Sequence, residues 1–154
     1  MILVLVGTSH LPFDRLIKAV GKLTRDFSLD TVIQFGHSTL ESTELNGFDF
    51  CPNDELLKLM EKCQVIICQA GFGSMFDAIK SGKRVIVIPR KVEFGETDAE
   101  QSSLANHYTE LGLVELCDDP ANLNEIYTNK KRAVAVETIT KYPFIKDILI
   151  DYID

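Results

Sequence analysis

The chain predicts a single α/β unit built on a doubly wound, mostly parallel sheet, and a few features carry that expectation. The aliphatic runs "ILVLV" (2–6), "VIIC" (65–68) and "VIVI" (85–88) show no polar alternation, which suits strands covered on both faces. Segments with helical periodicity lie between them, and strands alternating with helices over a whole chain call for parallel pairing. Glycine-containing turns follow two of these runs, at the strand end where doubly wound sheets bind their ligands.

Residues 2–6 form the first strand, and Pro12 suits the first turn of the helix after it. In that helix Phe13, Leu16, Ile17, Val20, Leu23 and Phe27 recur at three- and four-residue spacing, while Asp14, Arg15, Lys18, Lys22 and Arg25 take the other face. "TVIQFG" (31–36) is the next strand and "FDFC" (48–51) a short one. Asn53 or Asp54 then caps a helix through Leu56, Leu57, Leu59 and Met60.

After the strand at 65–68 and a glycine turn, residues 75–79 read as a short helix stopped at Gly82, and 85–88 as a strand stopped by Pro89. A polar loop, "RKVEFGETDAE", leads to a helix over about 100–111. "LVELC" (113–117) is a last strand, and Pro120 opens another helix. The tail, 128–153, reads as one or two helices broken at Pro143, so that one domain covers 1–154 with helices over 119–154.

With 154 residues, 45% of them hydrophobic, the chain is long enough for one sizeable core. Sixteen Lys and Arg against 23 Asp and Glu leave a net charge of -7, the wrong sign for a nucleic-acid binder. Cys51, Cys63, Cys68 and Cys117 form no C-x-x-C pair and adjoin apolar segments, which suits reduced core thiols and a cytoplasmic setting. The apolar start is too short for a signal peptide, and no run approaches the roughly 20 apolar residues of a membrane span.

The turn "AGFGS" has the materials of an anion site: Gly71 and Gly73 allow close backbone approach, a helix start presents free N–H groups, and Ser74 adds a hydroxyl. It equally suits a tight strand-to-helix connection. Phe76 stands where a dinucleotide fingerprint needs its third glycine, which weakens a nicotinamide or flavin reading, and no lysine follows Gly73 as in a P-loop. Asp77 reads as a residue of the first helical turn, either reaching a ribose hydroxyl or complementing the helix dipole.

"GTSH" supplies a second turn, with the hydroxyls of Thr8 and Ser9. His10 beside them is an acid, a base, a phosphate ligand or simply polar surface. Glu96, Asp98 and Glu100 form an acidic cluster that composition assigns to a solvated loop, with Gln101 on the first turn of the next helix. His37 and His107 have no partner at metal-ligand spacing, and no metal site is expected.

Taken in order, "VGTSHLPFDRLIKAV", "CQAGFGSMFDAIKSGKRVIVIPR" and "FGETDAEQSSLA" resemble the C-terminal, donor-binding half of the GT-B glycosyltransferases of family 28. The similarity runs over residues 4–105 and is nearest to small stand-alone subunits of the Alg13, PssE and EpsF kind. It implies a Rossmann-like domain in which Gly71, Phe72, Gly73 and Ser74 approach the diphosphate of a UDP-sugar. By the same resemblance Asp77, in a position commonly Glu, binds the ribose, and Phe50 and Cys51 lie against the uracil.

Gly7, Thr8 and Ser9 are then similar to the loop facing the diphosphate and the acceptor, and Glu100 and Gln101 to the pair that contacts the transferred sugar. Two departures stand out. Gln69 occupies the place of a histidine often found before the family's "AG", and the loop after the Pro-Arg strand lacks a second histidine and is one residue shorter.

The resemblance implies inverting transfer of a hexose or N-acetylhexosamine from a UDP-sugar, UDP-GlcNAc or a relative, to a lipid-linked acceptor in polysaccharide or glycan biosynthesis. No cofactor or metal is expected. One such domain is half of a two-component enzyme, so an Alg14- or PssD-like membrane-anchored subunit is the implied partner, with His10 a weak local candidate for the catalytic base. The subunit would then lack a transmembrane segment of its own and work at the cytoplasmic membrane face through its partner. The alternative is a non-catalytic nucleotide-binding or assembly subunit of a transferase complex.

Overall fold

The computed structural model describes residues 1–39 and 45–129. The strands are β1 (Ile2–Leu5), β2 (Thr31–Gln34), β3 (Asn46–Phe48), β4 (Val65–Gln69), β5 (Arg84–Ile88) and β6 (Glu115–Leu116). The helices are α1 (Asp14–Phe27), α2 (Asn53–Lys62), α3 (Phe72–Lys80), α4 (Ser102–Glu110) and α5 (Leu123–Thr128). All six strands pair in parallel in the order β3-β2-β1-β4-β5-β6. The chain therefore builds outward from β1 in one direction, then crosses back to build in the other.

Alternation along the central strands sorts two cores onto opposite faces of the sheet. Leu3, Leu5, Ile66, Cys68, Val85 and Val87 pack with Met60 of α2, Met75, Ala78 and Ile79 of α3, and Ala105 and Tyr108 of α4. Ile2, Val4, Val6, Ile67, Ile86 and Ile88 pack with Leu16, Ile17, Val20 and Leu23 of α1 and with Leu123 of α5. This double coverage is why the strands read as unbroken apolar runs. The expected doubly wound, Rossmann-like α/β sheet is the fold observed.

Several boundaries differ from expectation. β3 lies at 46–48 rather than 48–51: at the sheet edge, pairing with β2 outweighs composition, and a Cβ on Gly47 would lie 2.7 Å from Ile33 O. β6 shrinks to 115–116 because Leu113 and Val114 turn into the core instead of extending the ladder. Pro120 opens a single 3-10 turn (Pro120–Asn122) before α5, held by Asp119 accepting from Ala121 N at 2.9 Å. Phe27, expected on the buried face of α1, is 40% exposed and leans on the Tyr127 ring. Of the tail helices expected over 119–154, the part from 130 onward lies outside the described residues.

The largest shift concerns α3, which starts at Phe72 and not at Met75. Met75 N donates to Gly71 O at 3.0 Å, so most of "AGFGS" is the first helical turn and not a loop before it.

Candidate functional site

In a doubly wound sheet the ligand crevice opens where neighbouring strands send their connections to opposite faces. Here that point lies between β1 and β4: the chain leaves β1 for α1 on one face and β4 for α3 on the other. The two glycine turns singled out in the sequence meet there.

Gly7 has φ +90°, a conformation that favours glycine, and is held from both sides. On one side its N–H donates to Gln34 Oε1 at 3.0 Å, while Gln34 Nε2 donates to Gly7 O at 3.2 Å and to Asp49 O at 2.9 Å. One amide thus joins the carboxyl ends of β1, β2 and β3. On the other side stands Gln69, the last residue of β4, so close that a Cβ on Gly7 would lie 2.5 Å from its Nε2. A Cβ on Gly71 would lie 2.1 Å from the same atom.

Gln69 therefore fills the gap between both turns and is itself 8% exposed. Its Oε1 accepts from Gln101 Nε2 at 2.9 Å, and Gln101 Oε1 accepts from Arg90 N at 3.2 Å. Gln101 precedes α4 rather than lying on its first turn. The residues brought together are thus Gly7, Gln69, Gly71 and Gln101.

At the start of α3, which follows the carboxyl end of β4, no side chain among the described residues caps the helix, so its first N–H groups have no side-chain acceptor. A Cβ on Gly73 would meet nothing within 4 Å, so the fold itself does not require glycine there. Ser74 is half-buried, and Phe72 is 43% exposed and stacked on Phe76 with ring centroids 5.9 Å apart. With the helix beginning at Phe72, Asp77 falls on the second turn, which removes the expected role of complementing the dipole from the first.

The remaining candidates spread outward. Thr8 and His10 are exposed, and Ser9 Oγ accepts from Leu11 N at 3.2 Å. His37 Nδ1 lies 3.0 Å from Ser9 O, and its ring meets Phe50 edge-on at 5.2 Å, linking the first turn to the segment after β3. Phe50 and Cys51 line a depression of about 420 Å³ with Glu55, Lys58 and Lys62 on one side of α2. Asp77 lines a separate depression of about 370 Å³ with Leu57, Met60 and Lys83 on the other side. Among the described residues these two depressions share no lining residue. Glu100 is exposed.

The acidic loop departs most from expectation. Asp98 and Glu100 are exposed, but Glu96 is 5% exposed and Arg90 fully buried. Arg90 Nη1 donates to Leu11 O at 2.8 Å and Glu96 O at 2.7 Å, Nη2 donates to Val6 O at 2.9 Å, and the guanidinium lies 4.8 Å over the Phe13 ring. Burial pushes its pKa down from the usual value while the Glu96 charge pushes it up, and an arginine stays protonated throughout. Glu96 in turn accepts from Arg15 at 2.8 and 2.9 Å and from Lys91 N at 3.0 Å, and its hydrogen bond raises the Arg15 pKa.

Arg90, Glu96, Arg15 and Gln34 thus hold the crevice loops: composition puts Glu96 in a solvated acidic loop and Arg15 on an outer helix face, and it singles out neither Arg90 nor Gln34. Among the described residues, no group of three or more His, Cys, Asp or Glu is placed to hold a metal ion, and no helix is long and apolar enough to cross a membrane.

The sequence model of the glycosyltransferase family 28 C-terminal domain matches residues 1–142. No curated protein matches the chain. Among solved structures, the glycotransferase of kitacinnamycin superposes with TM-score 0.68 at 17% identity, over 90% of this chain and 37% of that one. CalG4, the calicheamicin glycosyltransferase, follows at 0.65 and 16%, over 89% and 35%. MurG from Acinetobacter baumannii gives 0.59 and 16%, over 82% and 40%. The chain therefore spans well under half the length of each of these proteins. At such identities the likeness is one of fold.

Proposed function

Because the chain belongs to the glycosyltransferase family 28 C-terminal domain family, we propose that it is the donor-binding part of an inverting glycosyltransferase and takes a UDP-sugar at the crevice between β1 and β4. The observation that carries this reading is the uncapped start of α3 with open space in front of Gly73. A helix N-terminus supplies fixed N–H dipoles to an anion, and a glycine that its own fold does not need leaves room for a ligand to approach the backbone. The diphosphate would lie over Gly71, Phe72, Gly73 and Ser74, facing Gly7, Thr8 and Ser9.

Transfer then proceeds by direct displacement. An acceptor hydroxyl attacks the anomeric carbon, the bond to the diphosphate oxygen breaks, and UDP leaves with the bonding pair as the acceptor proton passes to a base. The preorganised N–H groups stabilise charge that grows on the leaving oxygen, so the domain acts by positioned electrostatics and not by a nucleophile. Asp77 would bind the ribose, Phe50 and Cys51 the uracil edge, and Glu100 and Gln101 the transferred hexose or N-acetylhexosamine. No metal or further cofactor is part of this reading.

One domain of this kind supplies one wall of a two-walled site, as ligand sites often form between domains. We therefore assign the second wall, the acceptor surface and the main catalytic base to a membrane-anchored subunit of the Alg14 or PssD kind, with a lipid-linked acceptor and a place at the cytoplasmic membrane face. His10, exposed beside the first turn, is the local candidate for a base.

Calorimetric titration of the chain with UDP and UDP-GlcNAc tests the binding reading, and turnover with the partner subunit tests catalysis. Ser74→Ala and Asp77→Ala should each reduce turnover by about tenfold or more, the scale of one hydrogen bond to a charged group. Unchanged turnover in both would favour the assembly-subunit alternative instead.

A further inference from the structure

The amides of Gln69 and Gln101 form a chain whose direction is set at one end. Arg90 N is a backbone donor and cannot accept, so the Gln101 atom 3.2 Å away must be the carbonyl oxygen. Gln101 Nε2 is therefore the atom facing Gln69, at 2.9 Å, and the Gln69 atom that receives it must be Oε1. Reversing either amide would set donor against donor or acceptor against acceptor.

The far end of the chain is then fixed as well. Gln69 Nε2 must lie between Gly7 and Gly71, where neither glycine could carry a Cβ without approaching it to 2.5 or 2.1 Å. It donates to no acceptor among the described residues, although the residue is only 8% exposed. Arg90 Nε and Tyr108 Oη are enclosed without a partner, whereas Gln69 Nε2 is not sealed in this way. Its hydrogens, unused by the protein and not sealed off, are open to water or to a ligand in the crevice.

We propose that Gln101 is a positioning residue: tied to the Arg90 backbone, it holds Gln69 in the one orientation that turns the Nε2 hydrogens into the crevice, where they meet an oxygen of the nucleoside diphosphate. The proposal rests on the donor-binding reading above and deepens it. Toward the diphosphate Gln101 acts through Gln69: its own carbonyl and one N–H group are committed inside the protein, and the second N–H is left for the transferred sugar. The donor is uncharged and of fixed polarity, and the "AG" turn gains a third donor group beside the two backbone turns.

The test combines NMR of the Gln69 side-chain amide with calorimetry of two probes, UDP and inorganic pyrophosphate. In the unaltered chain both probes should bind and move the Gln69 NH2 signals. Gln101→Glu offers only acceptors, so Gln69 must turn its Nε2 toward residue 101 and present Oε1 to the crevice, weakening UDP binding by about 10- to 100-fold. Gln101→Met releases the lock without imposing the wrong orientation and should cost only a few-fold.

The added charge of Gln101→Glu is separated from the reversal by repeating that substitution in a Gln69→Met background. There the loss should shrink to a few-fold, and thermal melts verify that each variant is folded. UDP binding with unmoved Gln69 signals, or equal losses in both backgrounds, would overturn the relay and leave the donor reading intact. Pyrophosphate binding that moves Gln69 without any UDP binding would support the relay and overturn the nucleotide reading. If neither probe binds, both fall.

Discussion

Arg15 and Glu96, 81 positions apart, meet in a two-pronged ion pair, Nε to Oε1 at 2.8 Å and Nη2 to Oε2 at 2.9 Å. Through it the first helix grips the loop that follows β5, and the same carboxylate receives Lys91 N. The Glu96 side chain is only 6% exposed and that of Arg15 24%, so solvent screens the pair incompletely. Glu96→Gln should lower stability by about 2 kcal/mol, the figure for a broken buried pair discounted for the exposed side of Arg15. Urea denaturation at neutral pH measures it, and a loss below about 0.5 kcal/mol would mean the pair is a surface contact in energetic terms.

Arg90 makes a sharper case because geometry and charge separate. Its planar guanidinium reaches the Val6, Leu11 and Glu96 carbonyls from two separate nitrogens, a spread that the single nitrogen of a lysine does not reproduce. Arg90→Lys keeps the charge yet should cost about 2–4 kcal/mol, since each abandoned buried carbonyl loses about 1 kcal/mol or more. Amide exchange should quicken first around residues 7–12 and 91–97. Wild-type protection of those amides in the lysine variant would show that charge alone suffices.

The two glycines of "AGFGS" should respond in opposite ways. Gly71→Ala would drive a Cβ to 2.1 Å from Gln69 Nε2, so the variant should melt lower and disturb the floor of the crevice. Gly73→Ala meets open space on a helical residue and should leave stability unchanged or raise it by up to about 1 kcal/mol. The same variant should weaken UDP binding, because the methyl group stands where the diphosphate must approach. Undiminished binding in Gly73→Ala would refute the placement of the anion over this turn.

Buried acids set the alkaline limit of stability. Burial pushes the Cys68 and Cys117 thiols from 9.0 up to about 12, and the Tyr108 hydroxyl from 10.0 up to about 12. All three hold their protons more tightly when folded, so the unfolded chain releases protons first as pH rises. Their contribution is whole below the unfolded values and is lost as pH climbs toward 12, which predicts a falling urea midpoint from about pH 9 upward. Tyr108→Phe should flatten that fall above about pH 10. At neutral pH it should cost nothing, because the deleted hydroxyl is enclosed without a hydrogen-bond partner among the described residues.

Sequence alone determined the parts of this protein that depend on local composition. The runs at 2–6, 65–68 and 85–88 suit strands buried on both faces and form β1, β4 and β5, and periodicity was enough to place α1 and the doubly wound architecture. The order of short motifs also pointed to the family that residues 1–142 match. Local signals misled where tertiary pairing outweighed them, as at β3, or where glycines read as a loop were wound into the start of α3.

What only the tertiary structure decided is which polar residues work together. Glu96 looked like one carboxylate in a solvated loop, and Arg90 like the end of a strand. Gln69 looked like a missing histidine. Their partners lie 5 to 84 positions away and are chosen by the meeting of strand ends, a property of strand order that no local window contains. A buried polar group must find a partner in space or lose stability, so the fold, not the neighbouring residues, assigned Gln69 to Gln101 and Arg15 to Glu96.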